Sequence, residues 1–193
     1  MRYPAKQKAE THQTILAHAA RSFREHGGDS NGIGSVMKAV GLTKGGFYRH
    51  FGSKDDLYAE AVARAFDEVG ARMVKVAKAA PQGEQLRAII EGYLSTEHLS
   101  APGSGCALAA LGPELARQSL AVRKRINQSM LGYRERLVPF IPGETLDEKR
   151  ATFSILFPAM AGVVAAARAL VDRAARERML ARARQFFAAS FGG

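Results

Sequence analysis

The sequence predicts an all-α protein in two parts, a small N-terminal helical domain followed by a larger helical one. Three observations point there. Apolar residues recur every three or four positions through most of the 193 residues, and no stretch alternates with period two for long enough to argue a sheet. Glycine, proline and capping residues cut the chain into segments of helical length. The composition, 47% hydrophobic and 24% charged, is globular rather than disordered.

The elements follow in order. Thr11 reads as the N-cap of a first helix whose stripe is Ile15, Leu16, Ala19, Ala20 and Phe23, ending at Gly27-Gly28. A short helix over about 33–40 carries Ile33, Val36, Met37 and Val40, and Gly41 ends it. Thr43 then caps a third short helix over about 44–51, stopped by Gly52. Ser53 caps a long helix bearing Leu57, Ala61, Val62, Ala65, Phe66, Val69, Met73 and Val76, with Pro81 just beyond it. Further helices are expected at about 83–98, 105–117, 119–139, 145–170 and 173–190. Thr145-x-x-Glu148 is a capping box for the fourth of these, and Asp172 caps the last. The segments 100–105 and 139–143 read as loops. A division at Ser53 gives domains 1–53 and 54–193, joined through the long helix.

Charge narrows the functional classes. The chain holds 28 Lys and Arg against 18 Asp and Glu, a net of +10. Residues 1–54 alone carry nine Lys/Arg and three acids, so more than half of the excess sits in about a quarter of the chain. Such a balance favours a polyanionic partner, nucleic acid or an anionic surface. A single cysteine excludes an internal disulfide and a Cys-rich zinc site, and suits a reducing cytoplasm. The polar N-terminus shows no secretory signal. The apolar run 151–167 is short for a bilayer span and broken by Pro158, so no membrane helix is expected. No Walker loop, His-Glu-x-x-His, Gly-x-Ser-x-Gly or Cys-x-x-Cys occurs, which argues against an enzyme. No cofactor or metal is expected.

Three short helices with a tight Gly41-Leu42-Thr43 turn between the last two describe a helix-turn-helix. The run Val36-Met37-Lys38-Ala39-Val40-Gly41-Leu42-Thr43-Lys44-Gly45-Gly46-Phe47-Tyr48-Arg49-His50-Phe51-Gly52-Ser53-Lys54 through Leu57 resembles the DNA-binding signature of the tetracycline-repressor (TetR) family. Thr11 to Gly27 resembles that family's first helix, so the resemblance covers about residues 11–66. It implies that Thr43, Lys44 and Gly46 lie near bases or adjacent phosphates and that Gly45 permits close backbone approach. Tyr48, His50 and Lys54 would hold phosphates, with Thr11 and His12 as further contacts. Arg49 would point toward the groove, where Arg reads guanine, with a phosphate contact as the equal alternative. Phe47, Phe51 and Leu57 would be core. Structural readings stay open: Tyr48 packing on the first helix, His50 as a C-cap, Lys54 as a solvated lysine, Lys6 and Lys8 as a solvated tail. Two departures stand out. Gly32, preceded by Asn31, replaces the usual Ser or Thr cap, and Gly34 and Ser35 weaken the second helix.

The resemblance further implies a homodimer on a palindromic double-stranded DNA operator, held by the helices at about 145–170 and 173–190 in a four-helix bundle. The first of these is apolar nearly all round and therefore expected to be buried, with Pro158 kinking it. An unidentified small-molecule effector would sit among the middle helices. Tyr93, His98, Met130, Phe153 and Phe157 are the candidate lining, each with plain core packing as the rival reading. Cys106, after Gly103-Ser104-Gly105 at a helix N-terminus, is a candidate sensor of electrophiles or oxidants, against a buried apolar role. The expected function is a dimeric, ligand-responsive, cytoplasmic transcriptional regulator, a repressor released by its effector. The alternatives are an electrophile- or oxidant-sensing repressor acting through Cys106, and a sequence-blind nucleic-acid-binding protein.

Overall fold

A computed structural model describes residues 5–28 and 32–192. These residues are helical throughout, with no strand among them. Asn31, beside the atypical Gly32 cap, lies outside the described residues.

Helix α1 runs Ala5–His26. It starts well before Thr11, so Thr11 does not cap it. Residues 5–10, Ala-Lys-Gln-Lys-Ala-Glu, are all good helix formers, and the Thr11 hydroxyl instead donates back to the Gln7 carbonyl at 2.8 Å. Helix α2 spans Ile33–Ala39 and forms despite Gly34 and Ser35. Its end is a Schellman motif. Gly41 takes φ +74°, Leu42 N–H donates to the Met37 carbonyl at 2.9 Å, and Gly41 N–H to the Lys38 carbonyl at 3.0 Å. That capping motif is the turn of the helix-turn-helix. The third element is a 3₁₀ helix, Lys44–Arg49, rather than the α-helix expected over 44–51. Thr43 has extended cap geometry, but its hydroxyl makes no capping bond. Gly45-Gly46 at its start gives little α preference, and so short a piece suits the tighter winding.

Helix α3, Lys54–Ala79, begins as expected at a Ser53 cap, whose hydroxyl accepts from Asp56 N–H at 3.0 Å. It packs on α1 with one face and on the C-terminal helices with another, so both parts of the chain share it. The expected helix over 83–98 is two helices, α4 (Gln85–Tyr93) and α5 (Thr96–Ser100). Ser95 causes the break: its hydroxyl accepts from His98 N–H and restarts the winding. One 3₁₀ turn, Pro102–Ser104, leads into α6 (Ala107–Arg117). Then come α7 (Leu120–Leu137), α8 (Leu146–Ala169) and α9 (Arg173–Phe191). The Thr145–Glu148 capping box and the Asp172 cap are both present.

Helix α8 is long and apolar enough by length and composition to cross a bilayer. Here Phe153, Leu156, Phe157, Met160, Ala161, Val164 and Ala167 face the core. It is not buried all round, contrary to expectation. Ala151, Ser154, Ile155, Pro158, Ala159, Gly162, Ala165, Ala166 and Ala169 form a continuous exposed stripe. Pro158 lies on that stripe and the helix continues through it.

The two halves are tied by polar contacts, the most buried of them at Arg24. Arg24 of α1, with its side chain only 2% exposed, donates to Glu68 of α3 at 2.8 Å and to the Gly105 carbonyl at 2.9 Å. Arg72 of α3 donates to the Ser104 carbonyl, and Arg168 of α8 to the carbonyls of His98 and Leu99. Three arginines from three helices therefore hold one segment, 98–105. Gly28 N–H donates to the Glu114 carboxylate at 3.0 Å. A Cβ at Gly28 would lie 2.2 Å from the Tyr58 ring, so only glycine fits there.

Within this segment the His98 ring spans a gap. Its Nδ1 faces the Tyr93 carbonyl, so Nδ1 carries the proton, and Nε2 accepts from Cys106 N–H at 2.9 Å. A protonated ring would set a second N–H against Cys106 N–H. Burial pushes the His98 pKa from 6.5 down to about 4, with Arg168 and Arg72 adding to the depression.

Arg24→Met leaves the Gly105 carbonyl without its donor and should cost about 2–3 kcal/mol, read from urea unfolding. For His98, the unfolded chain takes up its proton near pH 6.5 and the folded chain only near 4. Its contribution is therefore whole above 6.5 and lost as pH falls toward 4. The unfolding free energy of His98→Gln, from urea titrations, should fall less over that window than that of the parent, by about 1–3 kcal/mol.

Candidate nucleic-acid interface

The helix-turn-helix divides its side chains cleanly. Phe47 is fully buried against Phe51, with ring centroids 5.5 Å apart, and Phe51 stacks on His12 of α1 at 4.4 Å. Ile15, Ala19, Phe23, Val36, Met37 and Leu57 complete this core. The same 3₁₀ helix turns Lys44, Gly45, Tyr48 and Arg49 to solvent, next to an exposed Thr43. Tyr48 is 66% exposed, so it does not pack into the protein. A large aromatic held outward by a buried neighbour is available to an external partner.

The expected residues converge. Thr11, Thr43, Gly46, Tyr48, Arg49 and His50 line one cleft of about 590 Å³, together with Lys8 and Leu42. Lys44 and Gly45 flank it, and Lys54 stands half-buried in the first turn of α3. A Cβ at Gly45 would meet nothing within 4 Å, so the chain's own packing does not require a glycine there. Lys8 is not part of a solvated tail. The early start of α1 brings it to the rim of the cleft, and the helix-forming run 5–10 is the signal in the sequence that places it there.

His50 closes the 3₁₀ helix as its C-cap, its N–H donating to the Phe47 carbonyl at 2.9 Å. Its ring is half-buried, with Nδ1 buried and without a hydrogen-bond partner. Burial lowers its pKa, and His12, Lys8 and Arg49 lower it further. Lys8 and Arg49 make the cleft a favourable place for an anion. His12 is held on the other side by Glu60 of α3 at 3.0 Å, which fixes α1 against α3 behind the recognition segment.

The candidate effector residues fall in two places. Tyr93, Phe153 and Phe157 join Tyr133 in a buried aromatic stack, with Phe153 and Phe157 4.2 Å apart. Burial pushes the Tyr93 and Tyr133 hydroxyls well above the usual tyrosine range, and the Tyr133 hydroxyl is buried without a partner. Cys106 is buried at the N-cap of α6, with the His98 ring accepting from its N–H. Met130 lies apart. It lines an open groove between α6 and α7 that no motif in the sequence marks.

Comparison with known proteins agrees with this geometry. Residues 15–61 match the family described as bacterial regulatory proteins, tetR family. A 56-residue segment is 46% identical to the HTH-type transcriptional regulator AcrR of Shigella flexneri, covering 28% of this chain and 26% of that protein. A 79-residue segment is 35% identical to the HTH-type transcriptional repressor AcnR of Corynebacterium glutamicum, covering 41% of this chain and 40% of that protein. The matched segments thus span well under half the length of these curated relatives. The whole fold resembles a TetR transcriptional regulator from Chloroflexus aurantiacus, with a TM-score of 0.72, 23% identity, and 95% and 96% of the two chains covered. The buried Phe47–Phe51 scaffold, the outward Tyr48 and Arg49 and the matched segment lead to one assignment: residues 15–61 form a helix-turn-helix segment that matches the tetR family of bacterial regulatory proteins, within an all-helical fold similar to that of TetR regulators.

Proposed function

We propose that the protein is a dimeric, ligand-responsive transcriptional repressor that binds a palindromic operator in the cytoplasm. Residues 1–53 would bind DNA, and 54–193 would dimerise and take the effector. The observation that carries the reading is the exposed cationic face on an immobilised scaffold. Phe47 and Phe51 lock the recognition segment from behind, while Thr43, Lys44, Tyr48 and Arg49 face out. Lys44, Tyr48, His50, Lys54, Lys8 and Thr11 would hold phosphates, and Arg49 would read a base edge in the major groove.

The exposed stripe of α8 supports a second copy as its cover. It is built of Ala, Gly and Ser with Ile155 (64% exposed), and Phe186 of α9 is equally exposed. Small residues let a partner's helices approach closely, and Pro158 on that face leaves the Ser154 carbonyl without its helical donor. Two recognition segments held by such a bundle would sit about one DNA turn apart, ~34–36 Å. The effector would prefer the state whose spacing does not fit DNA.

Anisotropy titrations with DNA from around the protein's own gene, under excess unrelated DNA, test the reading. A binder of specific sequence survives that competition, whereas a sequence-blind one collapses as salt rises. Lys44→Ala and Lys54→Ala should each lower the slope of log affinity against log salt by about one for the phosphate left unneutralised, equally for all sequences. Arg49→Ala should cost about 1–3 kcal/mol and relax discrimination at one position of each half-site.

Gly162 offers a clean dimer test. A Cβ there meets nothing within the chain, so Gly162→Arg should fold. Light scattering should show a monomer, with operator affinity down roughly a hundredfold because two linked sites no longer bind together. A Gly162→Arg protein that stays dimeric would show that another surface joins the copies.

A further inference from the structure

Resting on the effector reading above, we infer that the groove between α6 and α7 binds a medium-chain organic carboxylate. The open groove offers about 370 Å³, at the small end of the ligand pockets of roughly 300–1,000 Å³ that proteins use. Leu108 and Leu115 of α6 and Ile126 and Met130 of α7 form its apolar floor. Arg123 and Lys124 stand on its rim.

These two cations are the informative feature. No carboxylate lines the groove, and neither Arg123 nor Lys124 takes part in an ion pair among the described residues. Their neighbour Arg125 differs. It faces the other way and is held by Asp56 at 2.6 Å and Glu60 at 3.6 Å. Apolar floor plus unpaired cationic rim matches a ligand with one hydrocarbon tail and one anionic head. A cationic amphiphile would be repelled, and a neutral one would leave both charges unanswered. The modest volume favours a medium rather than a long chain. Exposed charge pairs contribute little each, so the tail would supply most of the affinity and the head would set selectivity.

Both walls of the groove are wired to the DNA-binding half. On the α6 side, Glu114 accepts from Gly28 N–H just past the end of α1. On the α7 side, Arg125 grips Asp56 and Glu60 at the start of α3, and Glu60 holds His12, which stacks on Phe51 behind the recognition segment. A ligand that parts α6 from α7 therefore loads both ties. By linkage, DNA and ligand weaken each other to the same extent.

Calorimetry of the full chain with decanoate, below its micelle concentration, tests the assignment. Saturable binding is expected, about tenfold or more tighter than for 1-decanol, with none for decylamine. Arg123→Gln/Lys124→Gln changes only exposed side chains. It should keep the parent's melting temperature and lose about tenfold or more in decanoate affinity. Decanoate should also lower occupancy of the operator by the parent protein. The assignment falls if decanoate does not saturate, if decanol binds equally, if the double variant binds undiminished, or if only anionic phospholipid vesicles bind. Binding without any change in operator occupancy would overturn the groove's regulatory role. The calorimetry needs no DNA, so a protein that bound no operator would still report on the groove. Release of the operator by other compounds, with decanoate inert, would remove this assignment and leave the repressor reading standing.

Discussion

The guanidinium of Arg24 is the contact through which the two halves of this chain become one body. It is a nearly fully buried cation, and a buried cation is tolerated only where its donors are met. Here Glu68 supplies the countercharge and the carbonyls of Ala20 and Gly105 take the remaining bonds. Those partners come from α1, α3 and the segment before α6. Three elements must therefore be in register before the charge is satisfied. Arg72, from an exposed position, and Arg168 bond the neighbouring carbonyls, and the neutral ring of His98 closes the segment onto itself. The arginines grip the segment through its backbone carbonyls, and a Cβ at Gly103 would lie 2.2 Å from the Glu25 carboxylate, so the segment's own side chains announce little of the contact.

That economy explains what the sequence discloses and what it does not. Local signals are legible because they are written in a few adjacent residues: Gly41 with its left-handed φ, the Ser53 cap, the Thr145–Glu148 box, the Asp172 cap. The recognition face is legible too, since Phe47 and Phe51 must be buried and Tyr48 and Arg49 between them then face out. The start of α1 is misleading because Thr11 looks like a cap whether or not helix formers precede it. The break at Leu94–Ser95 is hidden because Ser95 could as easily be a tolerated interior serine. The arginine ties are not readable at all. Arg24 and Gly105 are 81 positions apart, and nothing local to either announces the other.

Helix α8 shows a different limit. Its apolar residues surround the helix, so periodicity cannot separate a face buried by its own chain from one awaiting a partner. The fold separates them. The bulky residues Phe153, Leu156, Phe157 and Met160 turn inward, and the small ones turn out. A solvent-facing stripe of Ala and Gly costs a monomer little, yet it is shaped for close approach by another helix. The aromatic stack has the opposite lesson. Tyr93, Phe153 and Phe157 draw notice as large side chains and prove to be mutual packing partners, whereas Met130, the least specific of the candidates, sits in an open groove.

Helix α7 answers two neighbours at once. Consecutive residues on a helix point about 100° apart, so a single helix can show different faces to different partners. Lys124 stands on the groove and Arg125 holds α3, one residue on. The helix between them is continuous from Leu120 to Leu137 and cannot answer one neighbour without moving relative to the other. Asp56, at the far end of that contact, is also bonded to the Ser53 hydroxyl that caps α3. The cap that starts the shared helix and the ion pair that fixes α7 thus use the same carboxylate. Helix α7 is tied to Asp56, and through it to Ser53, at the junction between the helix-turn-helix and the long helix, three residues after His50.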